Sequence, residues 1–567
     1  MPQGLISLPL SLFSCNCTNS RVCVFEDLPG FYYDPVKNRY FPIKGPIPGS
    51  KRASSSSASS SPLKLHKVDD ERHDVVRKGG NRAAKLLQAR ELYGKVLSFE
   101  KGKCSFKHEY HKIQASLPVI WKYENTDSLA DSALEELHVD LQTPEGQYPA
   151  SVLLLGSVNG YLSLGKVGKV GEYFEYRVNC VPYRVWPPIT ELQAGWSNVP
   201  KNIWTGAVAP MTSAISCIKT SGGHSLYPAD DHSFIQHALI TTLGSETSKA
   251  AVYILKLNEP LDFSSSVFDL RTISHVASMS STIWTADCNP DGSQAVIGKF
   301  LYPSDTLICF FLIHLILPVG TGTNQGASLI NLETGGVSWV CRSKSDIFSQ
   351  QFDQTGNIVL CGFRNGAILT VDVRQKQQEH ATRLPKHLMP SSSHAVHDPS
   401  NRNLQNMSKR GFEVRGNINS SCTVCMPSSV SSLVSLRTYD QYFLASSMDG
   451  SMKLYDHRMI DRGAIQSYEG HVNSHTRIQL GVDPSEEHVM SGGEDGKVRI
   501  WSIKTGELLF ETKISNSVPS TICWPRTEKL QGLPIDTCSY EENLYEHNHS
   551  WGAWLGSRDE LFYMHGR

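Results

Sequence analysis

The sequence predicts an all-β repeat fold, a β-propeller of about seven blades. Three observations predict it: a recurring turn glycine, short apolar runs on both sides of each turn, and a near-constant spacing between turns. Gly160, Gly366, Gly450 and Gly496 follow Asn159, Asn365, Asp449 and Asp495, and Gly326 follows Gln325. Asn-Gly and Asp-Gly are favoured hairpin corners because both residues tolerate the positive φ of a tight turn. Strand-like runs such as "SVLLLGS", "NIVLCGF" and "EHVMSGG" precede the turns, and "YLSLG", "AILTV" and "KVRIW" follow them. Gly326 to Gly366 is 40 residues and Gly450 to Gly496 is 46. Gly366 to Gly450 is 84, but it contains a polar stretch, 375–420, whose removal leaves one ordinary unit. A four-stranded sheet that is apolar on both faces must stack on its neighbours, which is what a ring of blades provides.

The composition agrees with that fold. With 54 basic against 55 acidic residues there is no overall field to attract nucleic acid or anionic lipid, so no direct nucleic-acid binding is expected. The 14 cysteines are scattered through apolar runs and read as reduced, buried thiols of an intracellular protein. Gly4–Cys17 lacks a basic leader and is broken by Pro9, and Thr306–Val319 is shorter than the ~20 residues a membrane span needs, so no membrane association is expected.

In chain order, residues 1–27 read as an N-terminal extension, partly disordered like the linker that follows. Residues 28–48 hold an aromatic hairpin-like motif, "LPGFYYDPVKNRYFPI", which is either packed on the propeller or a binding element. Residues 49–80 form a serine-rich polar linker; its basic pairs around Lys51–Lys67 are either a bipartite nuclear signal or simply solvated, giving a nuclear and cytoplasmic expectation. Residues 81–98 read as a short helix: Asn81 can cap it, with Leu86, Arg90 and Tyr93 on one face and Ala84, Leu87 and Glu91 on another. The propeller is expected over 105–567, closed by a last hairpin in Trp551–His565. Its register breaks at 299–322: deleting that segment puts Gly298 four residues before Gly326, as Gly362 stands before Gly366 and Gly492 before Gly496. The segment reads as translated intron, as does Gly4–Phe25, the alternative being a genuine long insertion.

The best-formed unit, Gly470 to Trp501, resembles a WD repeat. The resemblance implies a structural hydrogen-bonded set of His471, Ser491, Asp495 and Trp501 that fixes the turn between the second and third strands. Two third strands end in Asp-x-Arg, at Val371-Asp372-Val373-Arg374 and Tyr455-Asp456-His457-Arg458, while the best blade has Trp501-Ser502-Ile503-Lys504. If Asp-x-Arg served only to fold a blade, the best blade should carry it, so the arginines point to an interface; a local salt bridge is the alternative. These ends resemble the DWD box of WD-repeat receptors that dock on the DDB1 adaptor of cullin-4 ubiquitin ligases, with Val371 and Tyr455 in place of the usual Trp. The aromatic motif and the C-terminal "GAWLGSRDELFYMH" are similar to the DDB1- and CUL4-associated factor 4 family, also called WD-repeat protein 21.

That resemblance implies a substrate receptor rather than an enzyme. Its partners would be DDB1, through it cullin-4 and a RING protein, and an unidentified protein substrate. The adaptor-binding residues it implies are Asp372, Arg374, Tyr455, Asp456 and Arg458, with Leu86, Leu87 and Arg90 of the helix, which is otherwise only a cover for the propeller's side. The alternatives are a general WD-repeat scaffold in a nuclear complex and a propeller hydrolase, which would need acidic residues along the ring axis. No Gly-rich phosphate loop, nucleophile elbow or repeating acidic pair supports chemistry. Cys422 and Cys425 have half a zinc spacing with no second half, and His380, His387, His394 and His397 lack ligand spacing, so no metal or cofactor is expected.

Overall fold

A computed structural model describes residues 31–34 and 39–42, most of 82–123, and most of 132–566; the larger internal gaps in the description are 169–178, 189–200, 222–236, 264–269, 301–324, 376–380, 385–411 and 526–550. Residues 1–69 and 70–567 form two units. In the first, Phe31–Asp34 pairs antiparallel with Arg39–Pro42, with Tyr33 opposite Tyr40, so the aromatic motif is a hairpin. The N-terminal extension, the serine-rich linker and the four loop histidines lie outside the described residues.

Among the described residues the second unit contains seven sheets of four to six strands, the blades. Their first strands (a) start at Ala133, Ile215, Thr282, Ile347, Val430, Leu480 and Thr521, for blades 1 to 7. Each strand a touches strand a of the next blade, and blade 7 touches blade 1, so the ring is closed. In the last blade Thr521–Cys523, Gly552–Gly556 and Leu561–His565 come from the C-terminal end, and the fourth strand is Val119–Tyr123. Building the last sheet from both ends of the propeller segment holds the ring shut, so that the first and last blades cover each other's apolar faces.

The seam is reinforced by a buried polar cluster. Glu136, on strand a of blade 1, accepts a 2.6 Å hydrogen bond from the Trp554 indole of blade 7 and pairs with Lys201 at 3.5 Å. Lys201 also lies 5.1 Å over the Tyr563 ring. Burial pulls the lysine's pKa down, but Glu136 and Tyr563 together outweigh it and the pKa is raised.

Four expectations are corrected. The helix covers residues 84–91, and Val96–Phe99 is instead a strand paired with Gly102–Ser105, because Val96, Leu97 and Phe99 suit a two-stranded ribbon. The propeller does not start at 105: a second helix, Phe106–Ser116, comes first, its Phe106 and Ile113 buried against Leu86. The polar stretch 375–420 is not all loop. Ala381–Leu384 and Phe412–Arg415 extend the edge of blade 3, and Ile418–Cys425 is the outer strand of blade 4. Two of these strands have only four residues, and in Ile418–Cys425 the alternation is interrupted by the polar run Asn419–Ser421, so a period of two does not stand out. The suspected insertion also begins later than 299. Lys299 and Phe300 pair with Ile283 and Thr282 inside blade 3, and the rest lies outside the described residues.

Removing the seam carboxylate tests this closure. Glu136→Ala leaves Lys201 without its counter-charge and should destabilise the chain by about 3 kcal/mol, whereas Glu136→Gln, still able to accept from Trp554, should lose less. Thermal and urea unfolding of the two variants measure the difference.

Candidate functional site

Hydrogen bonds between turns give the ring two distinct rims. On one, the starts of strands a meet the turns between strands b and c: Ile215 N–H donates to Ser157, and Ile283 N–H to Leu243. On the other, the ends of strands c meet the turns between a and b: Val373 N–H donates to Asn357, His457 N–H to Gln441 and Ile503 N–H to Glu487. Both Asp-x-Arg ends are therefore on the second rim, at the ends of Ala367–Asp372 in blade 4 and Met452–Asp456 in blade 5.

The local geometry separates what the turn needs from what it does not. The Asp372 Oδ1 accepts the Arg374 backbone N–H at 3.0 Å, and the Asp456 Oδ1 accepts that of Arg458 at 2.8 Å. Asn331 does the same in blade 3, accepting the Glu333 N–H at 3.1 Å with no arginine present. An Asx oxygen thus closes the turn by itself, and the arginine is additional. Each guanidinium then folds onto its own aspartate as a fork, through Nε at 3.0 Å and Nη2 at 2.7 Å for Arg374 and at 3.1 and 2.8 Å for Arg458. Both arginine side chains remain 64% exposed, with the Nη1 edge unused among the described residues. The salt bridge exists, and it holds the fork in one orientation with an edge free to donate.

Tyr455 does not belong to that surface. It is buried, stacked on Phe443 at 5.3 Å, with its hydroxyl 3.1 Å from the Met426 sulfur and its pKa pushed up to about 12 by burial. As the equivalent of Trp501 it is a core residue. Leu86 is likewise spent inside the chain, against Phe106 and Ile113, while Leu87 is 41% exposed and Arg90 lies 5.0 Å over the Phe106 ring. The Phe106–Ser116 helix, which the sequence reading missed, brings this pair of helices to the same rim. His111 bonds Glu487 at 2.6 Å and Lys112 bonds Glu507 at 2.6 Å, both carboxylates lying in turns of blade 6. Its signal was present as Phe106, Tyr110, Ile113 and Leu117 at helical spacing. The rim therefore carries Arg374, Arg458 and the helices over three consecutive blades.

The WD set forms in altered connectivity. Ser491 and His471 are linked at 3.1 Å, and the His471 and Trp501 rings meet edge to face at 6.3 Å. Asp495 accepts instead from Arg499, and the Trp501 indole donates to the Glu469 carbonyl at 2.8 Å. Along the ring axis two carboxylates do occur, Glu135 and Asp287. Both act electrostatically on Lys219, and they accept from the Thr220 hydroxyl at 2.9 Å and the Phe352 N–H at 2.8 Å respectively. Among the described residues no cluster of three or more potential ligands could hold a metal ion, and no helix is long and apolar enough to cross a membrane.

The Asp372 carboxyl is held down to about 2 by its hydrogen bonds from Arg374, against the opposing effect of desolvation. A carboxyl depressed by folding stabilises the chain above its ordinary value of 3.8, and that contribution is lost as the pH falls toward 2. The carboxyl carbon shift of Asp372 should titrate with a midpoint of about 2 and return toward 3.8 in Arg374→Ala.

The family profile described as WD domain, G-beta repeat, matches residues 463–502. Human DDB1- and CUL4-associated factor 4-like protein 2 is 26% identical over 240 residues, covering 41% of this chain and 50% of that relative. Bovine DDB1- and CUL4-associated factor 4 is 26% identical over 209 residues, 36% of this chain and 34% of its own. Human WD repeat domain-containing protein 83 is 28% identical over 109 residues, 19% of this chain and 34% of its own. The chain thus spans half or less of the curated relatives it matches. Seven stacked sheets and a matched repeat make the chain a WD-repeat protein, similar over part of its length to DDB1- and CUL4-associated factor 4 proteins.

Proposed function

We propose that the chain is a substrate receptor of a cullin-4 RING ubiquitin ligase. It docks on the DDB1 adaptor through Arg374 and Arg458, reaches cullin-4 and the RING protein through that adaptor, and presents a protein substrate from another surface. The observation that carries the reading is the pair of exposed guanidinium forks on consecutive blades of one rim, each oriented by an aspartate whose turn would close without it. An arginine already fixed in one rotamer gives up little freedom on binding, and its free edge suits a carboxylate or carbonyl acceptor. The names of the relatives support the same partners. In this reading Leu87 adds an apolar contact from the helices beside blade 6, Arg90 flanks it, and the protein works in nucleus and cytoplasm.

Co-purification with the adaptor tests the proposal. Arg374→Ala and Arg458→Ala should each weaken the complex by about tenfold or more, as interface hot spots do, and the double variant should recover no adaptor while its far-UV spectrum is unchanged. Undiminished recovery by the folded double variant removes the proposal. Recovery of a different assembly, with no cullin, favours a general WD-repeat scaffold instead.

A further inference from the structure

The rim opposite the arginines holds a guanidinium of a different kind. Arg477 precedes strand a of blade 6, yet its Nη1 donates 3.0 Å across the ring to the Ser216 carbonyl of blade 2, and its guanidinium lies 5.9 Å from the Trp284 ring centroid of blade 3. The residue is half-buried and meets no carboxylate among the described residues. A cation held inside protein normally has an opposite charge beside it, since its lost hydration is otherwise uncompensated.

Its surroundings are shaped in the same place. The inner strands of blades 2 to 5 each carry a bulge near their starts, at Ser216, Trp284, Phe348 and Ser431. A bulge re-aims the extra side chain. In blades 2 and 5 the serine bonds back into its own sheet, to Thr241 and to Ser446. In blades 3 and 4 the side chains are aromatic, and the Trp284 and Phe348 rings lie 5.7 Å apart. The Trp284 indole N–H is buried without an acceptor among the described residues. Deeper in the inner strands a buried cation does have acidic neighbours: Glu135 and Asp287 both act on Lys219 and help to raise its pKa against burial.

We propose that Arg477, Trp284 and Phe348 form a binding site for an acidic side chain of an extended peptide segment, at the axis of the ring on the rim opposite Arg374 and Arg458. The two rings stand on neighbouring blades, so a segment laid across them reaches Arg477 by dropping a side chain toward the axis. The carboxylate takes the guanidinium donors left over from Ser216, and apolar or aromatic neighbours of the acidic residue pack on Trp284 and Phe348. The site stands whether or not the adaptor reading does; if both hold, it is where a substrate segment sits while the adaptor occupies the far rim.

The test uses the full chain and a set of fluorescent, C-terminally amidated octapeptides with one central Glu and varied aromatic or apolar neighbours. Matched sets carry Gln in place of Glu, or Gln with a free C-terminal carboxylate. Members of the Glu set should bind saturably and alter tryptophan fluorescence, and the Gln set should bind at least about tenfold more weakly. Arg477→Gln, and independently Phe348→Ala, should cause a loss of similar size while adaptor recovery is unchanged. The proposal is overturned if no Glu peptide binds, if Arg477→Gln and Phe348→Ala both bind as the parent does, or if only the free C-terminus is recognised. Since adaptor recovery is read in the same variants, failure here is distinguishable from failure at the arginine rim.

Discussion

The structure depends on one pairing: Val119–Tyr123, from near the start of the propeller, lies beside Leu561–His565, from its end. Seven sheets whose two faces are both apolar have nowhere to stop, and joining the ends covers the last exposed face. The buried cluster of Glu136, Trp554 and Lys201 lies on that seam and joins blade 7 to blade 1. Everything functional proposed for the molecule is a relation between different blades, so it presupposes that the ring holds its shape.

Given a rigid ring, the two rims can be read separately. On one, charge is displayed: Arg374 and Arg458 are paired with their own aspartates and still largely open. On the other, charge is withheld: Arg477 is drawn inward against a carbonyl and an aromatic face, with no acid beside it among the described residues. The first arrangement orients a donor for a partner that comes to the surface. The second leaves an electrostatic need that a partner can meet. A platform that holds two proteins at once requires two such surfaces far enough apart not to compete.

Much of this was legible in the sequence where local chemistry fixes it. Asn365-Gly366, Asp449-Gly450 and Asp495-Gly496 marked three b–c turns, and all three glycines have positive φ. Blade 2 was not readable in the same way, because "TTLGSETSKA" between its strands b and c has no Asn-Gly or Asp-Gly corner. The Asp-x-Arg ends were found from their pattern, but the roles of Tyr455 and Leu86 were not, since burial depends on what folds against a residue. Phe443 covers the first and Phe106 the second. Arg477 had no sequence signal. Its isolation arises only when blade 6 closes opposite blade 2, a separation of 261 residues from Ser216.

The central claim is that a partner seizes the arginine rim, and hydrogen exchange on the chain with and without the adaptor tests it most directly. The account predicts slowed exchange in peptides covering 371–375, 456–460 and 84–91, with the starts of strands a at 282–285 and 347–349 unchanged. Protection confined to those strand starts, or none at the arginine rim in a complex that demonstrably forms, would contradict it.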